Sequence, residues 1–489
     1  LGIYNARKYH EVLLHLYKRY GPIVYEKVGL NKPLIHVFEP EDIQTVYRNE
    51  DKMPRAFPLS EFTKAYRIQA NDMSLGLGNR YLEVSGRRYL ENVPSTLLFF
   101  RLLYFYSNDE TWYKLRKSVR YLMMNANSVQ RFFKHTETIT DDLIGVIKMT
   151  RSNDGRIDHL RQLLGRWTLE VGGVISFDER LDYLHGSNES LGDEIVKANE
   201  TVFRLGTLLR FSLPFHNYIR TPMWTKFVEN EEFVHKIMLR HVKDAFSKID
   251  HLSETSTIDD KNPFLITLLR NDELSRKDIT ALAASFLMDR LSTIVPVLMS
   301  NLYSLATNQR VQQKVYEEIC NIHDEVTLDA EILNKLTYLK ATLKENFRMY
   351  PNGPEIGRIT KKPLVLSNYE IPADSYLSLN FHVHFKSSKY FSDAEAFKPE
   401  RWLHGGEGSN IPPLLLTPFG HGARTCPARK FAEQDLRLAL FKIVKNFKLI
   451  YPSNAPRIDF VFHTLLCPDQ DLPIQFIPRS CPTAMNSSI

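Results

Sequence analysis

The octapeptide FGHGARTC at residues 419–426 constrains this chain more than any other stretch, because two glycines, an arginine and a cysteine stand directly before a helical segment. Gly420 and Gly422 carry no Cβ, so the backbone there can take positive φ and pass close to a flat ligand. Arg424 presents a planar, permanently charged fork that matches a carboxylate. Cys426 supplies a sulfur that binds metal as the thiolate. Pro427 suits a first helical turn, and RKFAEQDLRLALFKIVKNF repeats apolar residues at helical spacing. The start of that helix directs free N–H groups at the sulfur and favours its negative charge. Taken alone, the same residues also describe an ordinary glycine turn ahead of a helix with a buried cysteine.

Cysteines at 320, 426, 467 and 481 form neither a zinc spacing nor a disulfide framework, which points to a reducing compartment. Of the four, Cys426 sits in a motif. A composition that is 43% hydrophobic supplies a large core, and no Pro/Gly/Ser-rich linker divides the chain, so a single domain over 1–489 is expected. The net charge of +6 admits an acidic partner and falls short of a nucleic-acid signature. No run approaches the roughly 18 apolar residues of a spanning helix, so no transmembrane anchor is expected. The sequence starts at Leu1 without a methionine, and any presequence is expected to lie outside it.

Helical periodicity dominates from about residue 109 to 349, and short strand-like runs sit within 22–37 and 362–379. The expected fold is mainly α with small β-sheets. Its order is a small β region, a long helical middle, a second β region, then the cysteine loop and its helix.

Two further motifs stand upstream: LKATLKENFRMYP at 339–351 and FKPERWL at 397–403. With the cysteine loop they occur in the order and rough spacing of the haem-thiolate monooxygenases, and over most of its length the chain resembles the cytochrome P-450 superfamily. The resemblance implies haem b held between a long central helix and the cysteine loop, with Cys426 as the axial ligand and Arg424 on a propionate. It assigns Trp112 and Arg116, a WxxxR pair, to a propionate as well, and Arg358 to a further haem contact. Phe419 opens the loop. His421 stands where relatives often carry an aromatic residue, and either reaches a propionate or packs. Glu345 and Arg348 lie at i and i+3 on one helix, and with Arg401 they are expected to form a buried network that supports the loop.

The same resemblance places oxygen activation on a long helix with the pattern (A/G)Gx(D/E)T(T/S). The corresponding residues are Asp289, Arg290, Leu291, Ser292, Thr293 and Ile294. Thr293 keeps the hydroxyl position and is expected to assist catalysis, although a threonine bonding its own turn reads the same way. Ser292 fills the acidic slot and offers a hydrogen bond without a charge. Arg290 replaces a glycine, and its guanidinium must be paired or point away from the pocket. Adjacent Asp289 is a poor partner for it, because neighbouring helix residues do not face each other.

Lys340 and Lys344 stand at i and i+4, and LKAxLKE is the form of the mitochondrial branch, in which these lysines dock an acidic ferredoxin. That branch implies the matrix side of the inner mitochondrial membrane. The pattern FGHGARTCPARKFAEQ with DRLST is most similar to arthropod ecdysteroid hydroxylases, so O2 and a lipophilic steroid are the expected substrates. A xenobiotic or vitamin D-like hydroxylase, or a haem-thiolate protein that binds ligand without oxidising it, stays open. The pocket is expected to draw on the loop before Trp112, residues 286–293 and residues 354–356. Residues 80–107 read as an insertion ahead of NDETW, and LLFFRLLYFY within it suits peripheral membrane contact, an access channel or a translated intron.

Overall fold

The apolar stretch near the middle of the chain becomes a helix around which much of the remainder packs. A computed structural model describes residues 5–27, 33–56, 108–213, 215–217, 219–253, 263–322 and 326–479. Residues 80–107, including LLFFRLLYFY, lie outside the described residues. The described helices are α1 (Tyr9–Tyr20), α2 (Pro40–Arg48), α3 (Asp109–Met124), α4 (Ala126–Gln130), α5 (Phe133–Thr150), α6 (Leu160–Phe177) and α7 (Glu189–Phe211). They continue with α8 (Pro222–Ser253), α9 (Pro263–Leu269), α10 (Arg276–Thr307), α11 (Gln309–Cys320), α12 (Ala330–Lys335), α13 (Thr337–Met349) and α14 (Arg429–Asn446).

The described strands are β1 (Ile23–Glu26), β2 (Leu34–Val37), β3 (Ile356–Ile359), β4 (Leu364–Leu366), β5 (Tyr369–Ile371) and β6 (Tyr376–Leu379), followed by β7 (Phe447–Ile450), β8 (Phe460–His463), β9 (Leu465–Pro468) and β10 (Gln475–Pro478). β1, β2, β6 and β3 form a sheet in that order, with β2 and β6 parallel and the other neighbours antiparallel. β4–β5, β8–β9 and β7–β10 are two-stranded antiparallel pairs. The fold is therefore mainly α with small sheets.

α10 begins with a capping box: Ser275 Oγ accepts from the Asp278 N–H at 3.1 Å, and the Asp278 carboxylate accepts from the Ser275 N–H at 3.0 Å. By length and mean hydropathy, 1.5 over its best window, α10 could cross a membrane, but 83% of that window is buried inside the protein. The expectation of no such apolar run is corrected in this sense, since a helix hydrophobic all round also makes a core. Between residues 281 and 306 every residue of α10 is buried except Asp289 and Thr293. Gly172 lets α6 approach closely, because a Cβ there would stand 2.5 Å from Leu287 Cδ1. Pro296 lies inside α10 and removes the N–H that would otherwise bond the Ser292 carbonyl.

Candidate functional site

The loop before α14 adopts a left-handed backbone that its glycines take without strain. Gly420 sits at φ +73° and Gly422 at φ +74°, a left-handed conformation that L side chains rarely take. At Gly422 the space is closed as well, since a Cβ would come 2.9 Å from Glu50 Oε2. The Cys426 N–H donates to the Phe419 carbonyl at 2.8 Å and closes the loop. α14 proper starts at Arg429 with Ala428 as its N-cap, so Pro427 precedes the helix instead of opening it. Ala428 has φ −86° and ψ 12°, which an alanine adopts without strain.

Burial pushes the Cys426 thiol up to about 11, against the Ala428 N–H bonded to the sulfur and the nearby Arg116 and Arg429. On the other side, the Asp289 carboxylate adds to the upward push. Even so, Cys426 is not sealed: it keeps intermediate exposure, as do Asp289 and Thr293. These three partly exposed residues mark the space between the cysteine loop and α10, close enough for the Asp289 charge to act on the sulfur.

Cationic and aromatic groups surround the loop. Arg116 on α3 donates from Nη2 to the Thr425 carbonyl at 2.7 Å. Arg424 donates from Nε to the Pro54 carbonyl at 2.5 Å and from Nη2 to Asn108 Oδ1 at 2.7 Å, with its guanidinium 4.3 Å from the Trp112 ring centre. Arg358 on β3 donates from Nε to Glu50 Oε1 and lies over the Tyr47 ring. His421 is exposed and its ring tilts against Tyr47 at 5.2 Å, which is the packing alternative. Phe419 meets Phe347 edge-on at 5.3 Å. Burial raises the pKa of the Glu50 carboxyl, while Arg358, Arg424 and His421 pull it down. The cluster is thus already arranged around a carboxylate.

Behind the loop, Glu345 and Arg348 are fully buried. Arg348 grips Glu345 with two bonds, at 2.9 and 2.7 Å, and reaches the carbonyls of Phe385, Ala394 and Ala396 at 2.6, 2.7 and 3.0 Å. Glu345 also accepts from Arg401 Nε at 3.3 Å, the Lys398 N–H at 2.9 Å and Trp402 Nε1 at 2.9 Å. Each charge is matched by directed hydrogen bonds, the condition under which a buried ionic network holds together.

On α10, Thr293 Oγ1 donates to the Asp289 carbonyl at 2.7 Å, and buried Ser292 donates to the same carbonyl at 3.2 Å. Both hydroxyls thus bond their own turn. Arg290 turns away from the space and donates from Nη2 to Asp435 Oδ2 on α14 at 2.6 Å, a pair with 5% and 0% side-chain exposure. Gly172 makes room for it, since a Cβ there would lie 3.3 Å from Arg290 Cδ. Phe286 was expected in the pocket; instead it packs against Phe264 and Phe431, each at 5.5 Å, and belongs to the core.

The family description "Cytochrome P-450" matches residues 77–476. The chain belongs to the cytochrome P-450 family. It is 33% identical over 474 residues to a probable cytochrome P-450 CYP44 of Caenorhabditis elegans, covering 96% of this chain and 88% of that protein. It is 28% identical to the mitochondrial 1,25-dihydroxyvitamin D(3) 24-hydroxylase of Mus musculus, covering 97% and 85%. It is 25% identical to the mitochondrial cytochrome P-450 302a1 of Drosophila melanogaster, covering 97% and 90%.

As a cytochrome P-450 the protein is a monooxygenase whose cofactor is haem b. The residues fit that group: an iron with two propionates calls for a partly exposed, thiolate-capable sulfur and for cations already facing a carboxylate. Sequence reasoning missed Glu50, Tyr47 and Asp435. Glu50 and Tyr47 lie in or just after α2, far along the chain from any motif, and carry no local signal. Asp435 lies in the α14 segment, but its pairing with Arg290 spans 145 residues and leaves no periodic trace.

Proposed function

We propose that this cytochrome P-450 hydroxylates a lipophilic, sterol-derived substrate with electrons supplied by a ferredoxin, and that Cys426 is its axial ligand. The observation that carries the reading is the convergence of Arg116, Arg424 and Trp112 on the loop of a partly exposed Cys426, with Arg358 and Glu50 beside it. In this reading Arg424, Arg116, Trp112 and Arg358 hold the propionates, with Glu50 tethering Arg358 and His421 packing on Tyr47. The bound haem supplies activation of O2, so that one oxygen atom enters a substrate C–H bond and the other leaves as water, with two electrons and two protons consumed. The Ala428 N–H and Arg116 favour the thiolate form of Cys426, and the Glu345–Arg348–Arg401 network holds the segments behind the loop in place.

The reading that oxidative chemistry has been lost drew on Arg290, Ser292 and the 80–107 segment, and the Arg290–Asp435 pair answers the first of these by giving the guanidinium a buried partner on α14. Ferredoxin docking rests on exposed Lys340 and Lys344 of α13, which with exposed Arg429 of α14 near Lys344 make a basic face. Lys344 lies 4.2 Å over the Trp402 ring, which joins this face to the buried network. Relatives named mitochondrial support a mitochondrial setting, which this reading narrows to the matrix side of the inner membrane, and the sterol-derived class follows the vitamin D hydroxylase among them.

Single-turnover oxidation of a panel of steroids and secosteroids with a reconstituted ferredoxin system tests this function. A hydroxylated product that carries oxygen from labelled O2 is expected. Binding of the panel without any product would overturn it.

A further inference from the structure

Away from the cysteine loop, the C-terminal end of α10 meets β7 and the turn after it around a cavity of about 550 Å³. α10 contributes Tyr303 and Ala306 to its lining, and β7 and the 451–457 segment contribute Lys448, Tyr451, Ser453 and Arg457. Tyr303 stands ten residues, roughly 15 Å, beyond Thr293 along the helix, so this site is separate from the cysteine loop. Its walls are held in place. Gln309 Nε2 donates to the Ala306 and Leu449 carbonyls, both at 2.8 Å, and ties the end of α10 to β7. The Tyr451 hydroxyl donates to the Pro456 carbonyl at 2.6 Å, and its ring meets that of Tyr303 edge-on at 5.1 Å.

Three polar groups of this lining are uncommitted. Tyr303 is buried, yet its hydroxyl has no hydrogen-bond partner among the described residues, where a buried tyrosine ordinarily finds one. Lys448 and Arg457 are exposed and have no ion-pair partner among the described residues, and no carboxylate lines the cavity. The carbonyls at the end of α10, which would oppose an anion, are answered inside the protein: Ser304 by Asn308 and Ala306 by Gln309.

We propose that this cavity binds a small aromatic anion, an aryl ester of phosphate or sulfate. Lys448 and Arg457 hold the anionic group by charge-assisted hydrogen bonds, the Tyr303 hydroxyl donates to a ligand oxygen, and the flat body of the ligand lies against the Tyr451 ring. The volume falls within the roughly 300–1,000 Å³ of small-molecule sites. Nothing in this site depends on the reading of Cys426.

The test is calorimetric titration of the haem-loaded protein with phenyl phosphate, phenyl sulfate, inorganic phosphate and phenol. At least one ester should bind at one site per chain, with inorganic phosphate and phenol weaker by about 10-fold or more, since each lacks half of the recognised chemistry. Lys448→Gln with Arg457→Gln should weaken that ester by about 100-fold and Tyr303→Phe by about 10-fold, while Arg19→Gln, which removes an exposed cation outside the cavity, should leave it unchanged. If Tyr303→Phe does not fold, Ser453→Trp, which blocks the cavity from an exposed position, takes its place and should abolish binding. No saturable binding of either ester below about 10 mM, equal affinity for inorganic phosphate or phenol, or full affinity in the double variant would overturn the proposal. A loss in Arg19→Gln as large as in the double variant, or a Soret shift on titration that places the ester at the haem, would overturn it as well.

Discussion

The cysteine loop and the stretch of α10 facing it are built on different principles. On the cysteine side, left-handed glycines at 420 and 422, a helix-terminal amide and a buried ionic network all bear on one loop. On the oxygen side, an unbroken helix satisfies its own hydroxyls, and one long-range ion pair, Arg290 to Asp435, ties it to α14. The first side is fixed by several local demands at once. The second depends on distant partners, so its sequence is free to vary as long as the partner varies with it.

Breaking the cysteine side should cost the most. Arg348→Leu removes both bonds to Glu345 and those to three backbone carbonyls, and leaves the buried Glu345 with Arg401, Trp402 and the Lys398 N–H as partners, a loss of about 3–5 kcal/mol. Chemical denaturation of the haem-loaded protein, with Soret intensity as the probe, should show a variant that barely retains its cofactor. On the oxygen side Arg290→Leu strands Asp435 and should cost slightly less, because the pair makes a single direct bond. The double variant Arg290→Leu with Asp435→Leu should recover most of that loss, since a buried pair replaced by apolar residues is often neutral. A double variant as unstable as the single would mean that Arg290 acts through something other than this pair.

Smaller effects should separate electron delivery from haem binding. Reversing both charges, Lys340→Glu with Lys344→Glu, should slow reduction by ferredoxin in stopped-flow traces by about 10-fold at low salt, with the gap closing as salt rises. Soret position and substrate affinity should not change. Equal reduction rates would sink the docking face.

The smallest effect concerns Glu50. Burial raises its folded-state pKa above the ordinary value of 4.5, so the folded protein holds this proton where the unfolded chain has lost it. Stability from this group is therefore greatest below the ordinary carboxylate range and falls as pH rises through the raised value. Glu50→Gln should flatten that slope in thermal melts taken across the window. A slope identical to wild type would remove Glu50 as its source.

How much was legible in the sequence follows the same division. The loop glycines, Glu345 and Arg348 were readable because positive φ and i, i+3 ionic pairing leave marks in nearby residues, whereas Arg401, 56 residues from Glu345, came in through the family resemblance. Arg290 could be flagged as needing a partner, but Asp435 could not be named, since the two meet through helix packing across Gly172. Phe286 was misplaced for a related reason: helical spacing shows that a residue is apolar and not which neighbour covers it, here Phe264 and Phe431. Glu50 gave no signal because an acid after a short helix is usually solvated. Asp289 was considered as a partner for Arg290 and rejected on helix geometry, and that same geometry turns it toward Thr293.

The central claim is that Cys426 holds haem iron as a thiolate. The most direct measurement is the absorption spectrum of the reduced, carbon monoxide-bound protein beside that of Cys426→His. Wild type should show the strongly red-shifted Soret band of thiolate ligation, and Cys426→His should bind haem with the band at the shorter wavelength of a nitrogen ligand. An unshifted band in wild type, or the same red-shifted band in both proteins, would contradict the account.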